Sequence, residues 1–169
     1  VVAEGVTAIG DYAFYNLAKV TTIDVAKTVV SVGVQFIRGT AITEIDLSNV
    51  VTVAANALGR ADSLASVTFG SGITSIGDDA FYNCGKLSKV TFMSSANPLT
   101  MGYQPSSTDD VGAFYQSPLT EIIVNRSLVL SEAYADACDS SNEGIFSTEH
   151  NMQNTTISLG GQVGKIPEF

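Results

Sequence analysis

A short apolar motif recurs along the chain at a nearly constant spacing, and this periodicity constrains the fold more than any other feature of the sequence. The motif is apolar-x-x-apolar-x-apolar, and successive copies begin 22, 22, 23 and 32 residues apart. A fixed period of this size indicates a solenoid, in which each repeat forms one coil and buries its apolar side against its neighbours. The copies are Val20/Ile23/Val25, Ile42/Ile45/Leu47, Leu64/Val67/Phe69, Leu87/Val90/Phe92 and Leu119/Ile122/Val124.

A second motif accompanies the first. Residues 9–16 read Ile-Gly-Asp-Tyr-Ala-Phe-Tyr-Asn, and residues 76–83 read Ile-Gly-Asp-Asp-Ala-Phe-Tyr-Asn. Weaker copies lie near Val32, Val53 and Gly112. Each coil thus has an apolar anchor on each of two sides, and we expect Asp11 and Asp78 to be N-caps of a single helical turn that holds the Ala-Phe pair inward.

The strand period of two divides the first motif into inward and outward positions. Two interior ladders are expected: Ile23, Ile45, Val67, Val90 and Ile122, and Val25, Leu47, Phe69, Phe92 and Val124. Two outward columns follow from the same register: Thr22, Glu44, Ser66, Lys89 and Glu121, and Asp24, Asp46, Thr68, Thr91 and Ile123. Stacked coils would set the members of each column about 4.8 Å apart.

The second motif resembles the BspA-like class of leucine-rich repeats, the bacterial surface-antigen class. Residues 6–17 and 73–87 carry the likeness most faithfully, and it extends over roughly residues 5–125. The second and third repeats depart from it, lacking the Ala-Phe pair or the Gly-Asp turn. The resemblance implies a leucine-rich-repeat solenoid on secreted or surface-anchored proteins of host-associated bacteria, and a link to adhesion.

We therefore expect a β-rich α/β fold: a solenoid of about five coils with a parallel strand face, short helical turns and a C-terminal cap. Residues 1–125 form the array, which starts mid-repeat and carries an insertion at 103–111. That insertion is either a binding element or a solvated surface loop. Residues 126–169 form a degenerate repeat and cap, with a helix at 131–138 capped by Ser131 and a strand at 155–159.

The charge composition excludes some partners. The net charge is -9 and only eight residues are basic, which argues against nucleic acid and against anionic membrane surfaces. No apolar run is long enough to predict membrane insertion. No signal peptide is visible, although a removed signal and a protein that is never secreted look the same here.

The sequence offers little chemistry, and we expect no catalytic residue, metal or cofactor. Cys84 reads as a buried thiol, with a disulfide to Cys138 as the alternative. A thiol site of Cys138 with Glu149 and His150 lacks any cysteine-enzyme motif around it. The acidic pairs 78–79 and 109–110 read as solvated turns, with a calcium site as the alternative.

The outward strand face is the predicted binding site. We expect reversible binding of an extracellular protein or glycan, with the 103–111 loop helping. A structural spacer that displays other domains is the alternative, and the uncapped N-terminal coil could also pair with a second copy. The predicted contact residues are Thr22, Asp24, Glu44, Asp46, Ser66, Thr68, Lys89, Thr91, Glu121, Asp109 and Asp110.

Overall fold

The computed structural model describes residues 1–104, 111–130 and 156–159 of the chain. These residues contain thirteen β-strands and no helix, so no helix in these ranges could cross a membrane. Within them the fold is all-β, which corrects the α/β expectation. The predicted helix at 131–138 and the interior of the insertion, 105–110, lie outside the described residues.

One side of the solenoid is a parallel sheet of short strands, which we call the short-strand sheet. Its order is β1-β2-β4-β6-β8-β12, so each coil adds one strand beside that of the previous coil. The strands are β1 (Ala8–Ile9), β2 (Ser31–Val32), β4 (Thr52–Val53), β6 (Ser75–Ile76), β8 (Leu99–Met101) and β12 (Leu128–Leu130).

The opposite side is the long-strand sheet, built from the apolar motif. Neighbouring strands are parallel, in the order β3-β5-β7-β11-β13. Its strands are β3 (Glu44–Leu47), β5 (Ser66–Phe69), β7 (Lys89–Phe92), β11 (Glu121–Val124) and β13 (Thr156–Leu159). The predicted strand near residue 155 is thus present as β13, which pairs with β11.

The first coil departs from the expected ladder. Residues 21–26 form no strand, and regular pairing begins only at β3. Ile23 and Val25 are half-buried, whereas Ile45 and Leu47 of the next coil are buried. Fewer apolar contacts therefore hold this segment in place.

The chain between each short strand and the next long strand forms a compact turn. Together these turns make a third side of the solenoid, which we call the turn surface. It comprises residues 11–16, 34–39, 55–60, 78–83 and 113–116. In the first turn the amides of Tyr12, Phe14 and Asn16 donate to the next coil, each at 2.8 Å. The amide of Tyr15 bonds within the turn, to the carbonyl of Tyr12 at 3.0 Å.

This alternation explains why the expected helical turn does not form. Tyr12 and Asn16 have φ of 57° and 59°, in the left-handed region that interrupts a right-handed helix. Asp79 and Asn83 repeat the arrangement with φ of 53° and 51°. Because alternate amides bond to the next coil, they cannot make α-helical bonds within their own.

Asp11 caps a neighbouring coil and not a helix of its own, which corrects the N-cap prediction. Its Oδ1 accepts a hydrogen bond from the backbone amide of Val34, 2.8 Å away. A Cβ on Gly33 would overlap this carboxylate, and a Cβ on Gly102 would overlap that of Asp78 in the same way. The Asp of this motif in one coil therefore lies against the Gly at the matching position of the next coil.

The core lies between the two parallel sheets. Pairing puts Ile45, Val67, Val90 and Ile122 in one register and Leu47, Phe69, Phe92 and Val124 in another, and all eight are buried. Phe81 from the turns stacks on Phe114 with ring centroids 4.7 Å apart. It also meets the edge of Phe69 at 6.1 Å, so the two motifs share one core.

The insertion leaves the solenoid through a short antiparallel ribbon, β9 (Tyr103–Gln104) and β10 (Val111–Gly112). This stem follows β8 of the short-strand sheet directly. The insertion is therefore rooted away from the long-strand sheet. Asp109 and Asp110, two predicted contact residues, lie outside the described residues.

Replacing Phe81 with alanine tests the shared core. Phe81 is 0% exposed, so the loss of its ring contacts should lower the free energy of unfolding by about 3–5 kcal/mol. Urea denaturation followed by far-UV circular dichroism measures this loss. Met93→Ala is the control, because Met93 is 44% exposed and should cost less than about 0.5 kcal/mol. Equal losses for the two variants would show that Phe81 is not in the core.

Two glycines in one turn provide a matched test of coil-to-coil contact. A Cβ on Gly70 would overlap the carbonyl of Ser48 in the preceding coil, whereas a Cβ on Gly72 would meet nothing within 4 Å. Gly70→Ala should therefore destabilise the protein by about 1–3 kcal/mol. Gly72→Ala should leave stability unchanged or slightly raised. A thermal melt of both variants distinguishes them, and equal melting temperatures would contradict the close stacking.

Candidate functional site

The outward side chains of the long-strand sheet form the candidate site, which we call the strand face. Strand pairing aligns Glu44, Ser66, Lys89 and Glu121 in one column. It aligns Asp46, Thr68, Thr91 and Ile123 in the other. The structure thus brings the predicted contact residues of these four strands together in the expected order. Whether they bind a ligand stays a prediction.

The alternating burial of each long strand sets which side chains reach this face. In β3, Glu44 and Asp46 are exposed while Ile45 and Leu47 are buried. In β5, β7 and β11 the outward residues are half-buried, because flanking columns cover part of each side chain. The columns are therefore most accessible at the β3 end.

An open depression of ≈ 430 Å³ lies at this β3 end. Although residues 21–26 form no strand, Thr22 and Asp24 both contribute to it. Asp24, Glu44 and Asp46 supply three carboxylates, and no basic residue is among the lining residues of this depression. Its lining is Thr22, Ile23, Asp24, Glu44, Ile45, Asp46, Ser66 and Thr68. The surface here is strongly acidic.

Asp46 is held in a defined orientation. Its Oδ1 accepts a hydrogen bond from the backbone amide of Ser48 at 2.8 Å and a second from the Ser48 hydroxyl. This is an Asx turn at the end of β3, the local bonding that Asp favours after a strand. One carboxylate of the depression is therefore positioned before any partner arrives.

The middle of the strand face is neutralised internally. Lys89 Nζ lies 2.8 Å from Glu121 Oε2, one coil away in the same column, and the side chains are 45% and 39% exposed. An exposed pair of this kind contributes at most about 1 kcal/mol to stability. Its larger effect is on charge, since it confines the uncompensated negative charge of the face to the β3 end.

Cys84 is structural. It is 0% exposed, unpaired, and its thiol donates to the carbonyl of Leu58 at 3.0 Å. Burial raises the pKa of this thiol to about 12, so the thiolate needed for nucleophilic attack is absent at neutral pH. The buried-thiol reading of the sequence is confirmed. Cys138, Glu149 and His150, the alternative thiol site, lie outside the described residues.

Asp78 and Asp79 do not form a metal site with other described residues. Both are half-buried, and burial raises the pKa of each carboxyl, with Asp78 adding repulsion at Asp79. No group of three or more His, Cys, Asp or Glu side chains within the described ranges is placed to hold a metal ion. Asp78 instead packs against Gly102 of the next coil.

Arg126 is a buried cation that sequence reasoning missed. It is 0% exposed, and its guanidinium donates to the carbonyl of Asn97 at 2.7 Å and, at longer range, to those of Ser71 and Pro98. Ser71 lies in a turn after β5, and Asn97 and Pro98 directly precede β8, so Arg126 joins coils at one corner of the solenoid. A lone arginine in a degenerate repeat gives no sequence signal for such a role.

Comparison with known proteins gives one match. The family model for the BspA type leucine rich repeat region matches residues 1–103, in six copies. No curated protein matches the chain, and no solved structure matches it. The six copies cover about three fifths of the chain, the part in which both sequence motifs are clearest.

The buried thiol predicts a specific alkaline instability. Cys84 keeps its proton up to a pKa of about 12 in the folded chain but loses it near 8.5 when unfolded. Between these values the unfolded state binds fewer protons, so the free energy of unfolding falls as pH rises, by about 1 kcal/mol per pH unit. Stability measured by urea titration from pH 8 to 11 should show this slope.

Cys84→Ala is the control for this slope. Ala61 occupies the equivalent place after the turn 55–60 and is also buried. The variant should therefore fold, and its stability should fall less steeply with pH, since other groups titrate equally in both proteins. Identical slopes for the two proteins would contradict the raised pKa of Cys84.

Proposed function

Because the chain belongs to the family of BspA-type leucine-rich repeats, we propose that it is a non-catalytic recognition module of a bacterial cell surface or secreted protein. It binds an extracellular protein through the strand face. The association is reversible and non-covalent, and it serves adhesion. The family supports the surface location and the interaction role.

The observation that carries this proposal is the accessible acidic depression at the β3 end of the strand face. Asp24, Glu44 and Asp46 converge on one open volume of ≈ 430 Å³, and Asp46 is already oriented by Ser48. Preformed charge at an accessible edge favours fast, salt-dependent association with an oppositely charged partner. The partner presents a basic segment to this end.

The rest of the strand face supplies hydrogen bonds. Ser66, Thr68 and Thr91 follow the acidic end along the two columns, and their hydroxyl groups can donate and accept. A partner that lies along the columns thus meets carboxylates first and hydroxyls next. The ion pair of Lys89 and Glu121 marks the end of this polar run. A contribution of Asp109 and Asp110 stays a prediction.

A structural spacer is the second candidate. The two columns from β3 to β11 carry no aromatic side chain, whereas tight protein interfaces are enriched in Tyr, Trp and Arg. Lys89 and Glu121 also satisfy each other without a partner. A spacer would display other domains and have no ligand at the strand face.

Binding of the purified protein to an array of extracellular-matrix proteins and mucins tests the proposal. The test variant is the triple replacement Asp24→Asn, Glu44→Gln and Asp46→Asn, in which the asparagine can still accept from Ser48. It should bind a captured basic partner about tenfold or more weakly, with a flatter salt dependence, because several charge contacts are lost.

Asp62→Asn is the control, since Asp62 is exposed and does not line the depression of the strand face. This variant should bind as the unmodified protein does. Equal affinity of the triple variant and the unmodified protein would remove the strand face from the mechanism. Absence of any saturable binding would favour the spacer.

A further inference from the structure

The long-strand sheet stops one coil short of the start of the solenoid. In a parallel sheet, alternate residues of a strand bond to the neighbour on one side and to the neighbour on the other. The amides of Ser66 and Lys89 thus donate to the preceding coil, to the carbonyls of Thr43 and Ala65 at 3.2 and 3.1 Å. The strand β3 is the last in the sheet order, because residues 21–26 of the first coil form no strand.

Glu44 and Asp46 therefore carry unpaired backbone groups. Strand pairing aligns them with Ser66 and Thr68 of β5, whose amides and carbonyls face the preceding coil. The structure describes both β3 and residues 21–26, and no backbone hydrogen bond joins these two segments. Two amides and two carbonyls of β3 thus point toward a strand position that is not filled. We call these four groups the open edge.

The acidic depression adjoins the open edge. Its lining includes residues 22–24 on the side of the first coil and residues 44–46 on the side of β3. Its volume of ≈ 430 Å³ is within the range of about 300–1,000 Å³ that is typical of ligand sites. Residues 22–24 and β3 thus bound a space that a ligand can enter from the outward side.

Charge indicates which kind of chain fits this space. A sheet edge with free amides and carbonyls is a template for pairing with another chain. A second copy would bring the carboxylates of Asp24, Glu44 and Asp46 against their own counterparts, in a protein of net charge -9, and like charges repel. A positively charged segment instead gains both the backbone partners and the carboxylates.

We propose that an extended basic segment of the partner protein pairs with the open edge of β3 as an added strand. The inference rests on the proposed function, because it concerns the same site and adds how the partner is held. In strand addition the backbone bonds give affinity and alternate side chains give specificity. Side chains on one face of a strand are roughly 7 Å apart, which is also the spacing of Glu44 and Asp46. The recognised pattern is therefore basic-x-basic in an extended chain.

Amide hydrogen exchange in the ¹⁵N-labelled protein tests the open edge without any ligand. The amides of Glu44 and Asp46 should exchange about tenfold or more faster than those of Ser66 and Thr68, since only the latter are bonded to a preceding strand. Equal protection of the two pairs would show that the edge is closed and would overturn the proposal. Protection that rises with protein concentration would assign the edge to a second copy, which overturns it as well.

Two peptides of equal composition and charge test the basic-x-basic pattern. The alternating peptide is Ac-Thr-Lys-Thr-Lys-Thr-Lys-Thr-NH2, and Ac-Lys-Thr-Thr-Lys-Thr-Thr-Lys-NH2 places successive lysines on opposite faces of a strand. In NMR titrations the alternating peptide should bind about fivefold or more tightly, because two of its lysines reach carboxylates together. It should also slow the exchange of the Glu44 and Asp46 amides. Equal affinity of the two peptides would contradict the pattern.

Two N-methylated isomers of the alternating peptide test the backbone pairing itself. One is methylated at the amides of its three lysines, and the other at the amides of its last three threonines. These two sets of amides point to opposite edges of an extended strand, so only one set can donate to β3, whichever way the peptide runs. One isomer should therefore bind about tenfold or more weakly, and the other as the parent does. Equal affinities of the two isomers would rule out strand addition.

Failure of this inference and failure of the proposed function give different results. The triple variant Asp24→Asn, Glu44→Gln and Asp46→Asn should bind the alternating peptide about tenfold or more weakly, and Asp62→Asn should bind it normally. If the triple variant loses a partner from the protein array while the two isomers bind equally, the acidic site stands and strand addition fails. If no peptide binds at millimolar concentration, strand addition fails and the array alone decides the function. Array binding unchanged in the triple variant removes the proposed function, whereas amide exchange still reports on the edge.

Discussion

Hydrogen bonds between the backbones of successive coils are the interaction on which the rest of the structure depends. They run in register along the short-strand sheet, the long-strand sheet and the turn surface. A coil with strands of two to four residues cannot bury its apolar side alone. Each coil therefore gains both its backbone partners and its core only by stacking. Contacts such as Asp11 with Val34 and Arg126 with Asn97 reinforce the same joints.

Because the coils stack in strict register, the residues at one repeat position form a column on the surface. Because each coil repeats the same backbone positions, a side chain on one coil lies beside its counterpart on the next. On the strand face this produces an acidic end followed by hydroxyl groups, with Lys89 and Glu121 paired beyond them. On the turn surface it produces stacked tyrosines and arginines. One backbone rule thus creates two surfaces that carry different side chains.

The sequence predicted the parts of this structure that follow from a local period. The apolar spacing placed the interior ladders correctly from Ile45 and Leu47 onward, and it aligned Glu44 with Ser66 and Lys89. It was wrong about the helical turns, because Asp11 before an Ala-Phe pair has the same sequence signature as a helix N-cap. Whether that carboxylate binds its own turn or the next coil depends on stacking. The column correctly placed Lys89 beside Glu121 across the insertion, but the ion pair between them was not predicted.

By itself, the sequence determined that the chain is a stack of coils and which side chains of strands β3 to β11 face inward. These follow from periodicity, because a period and a burial pattern are local properties of the chain. Only the tertiary structure decided which coil each polar group bonds to, where the acidic depression opens, and how Arg38 and Arg60 meet the tyrosine rings. Those features depend on distances between residues some twenty positions apart, which the stacking of coils sets and no local pattern contains.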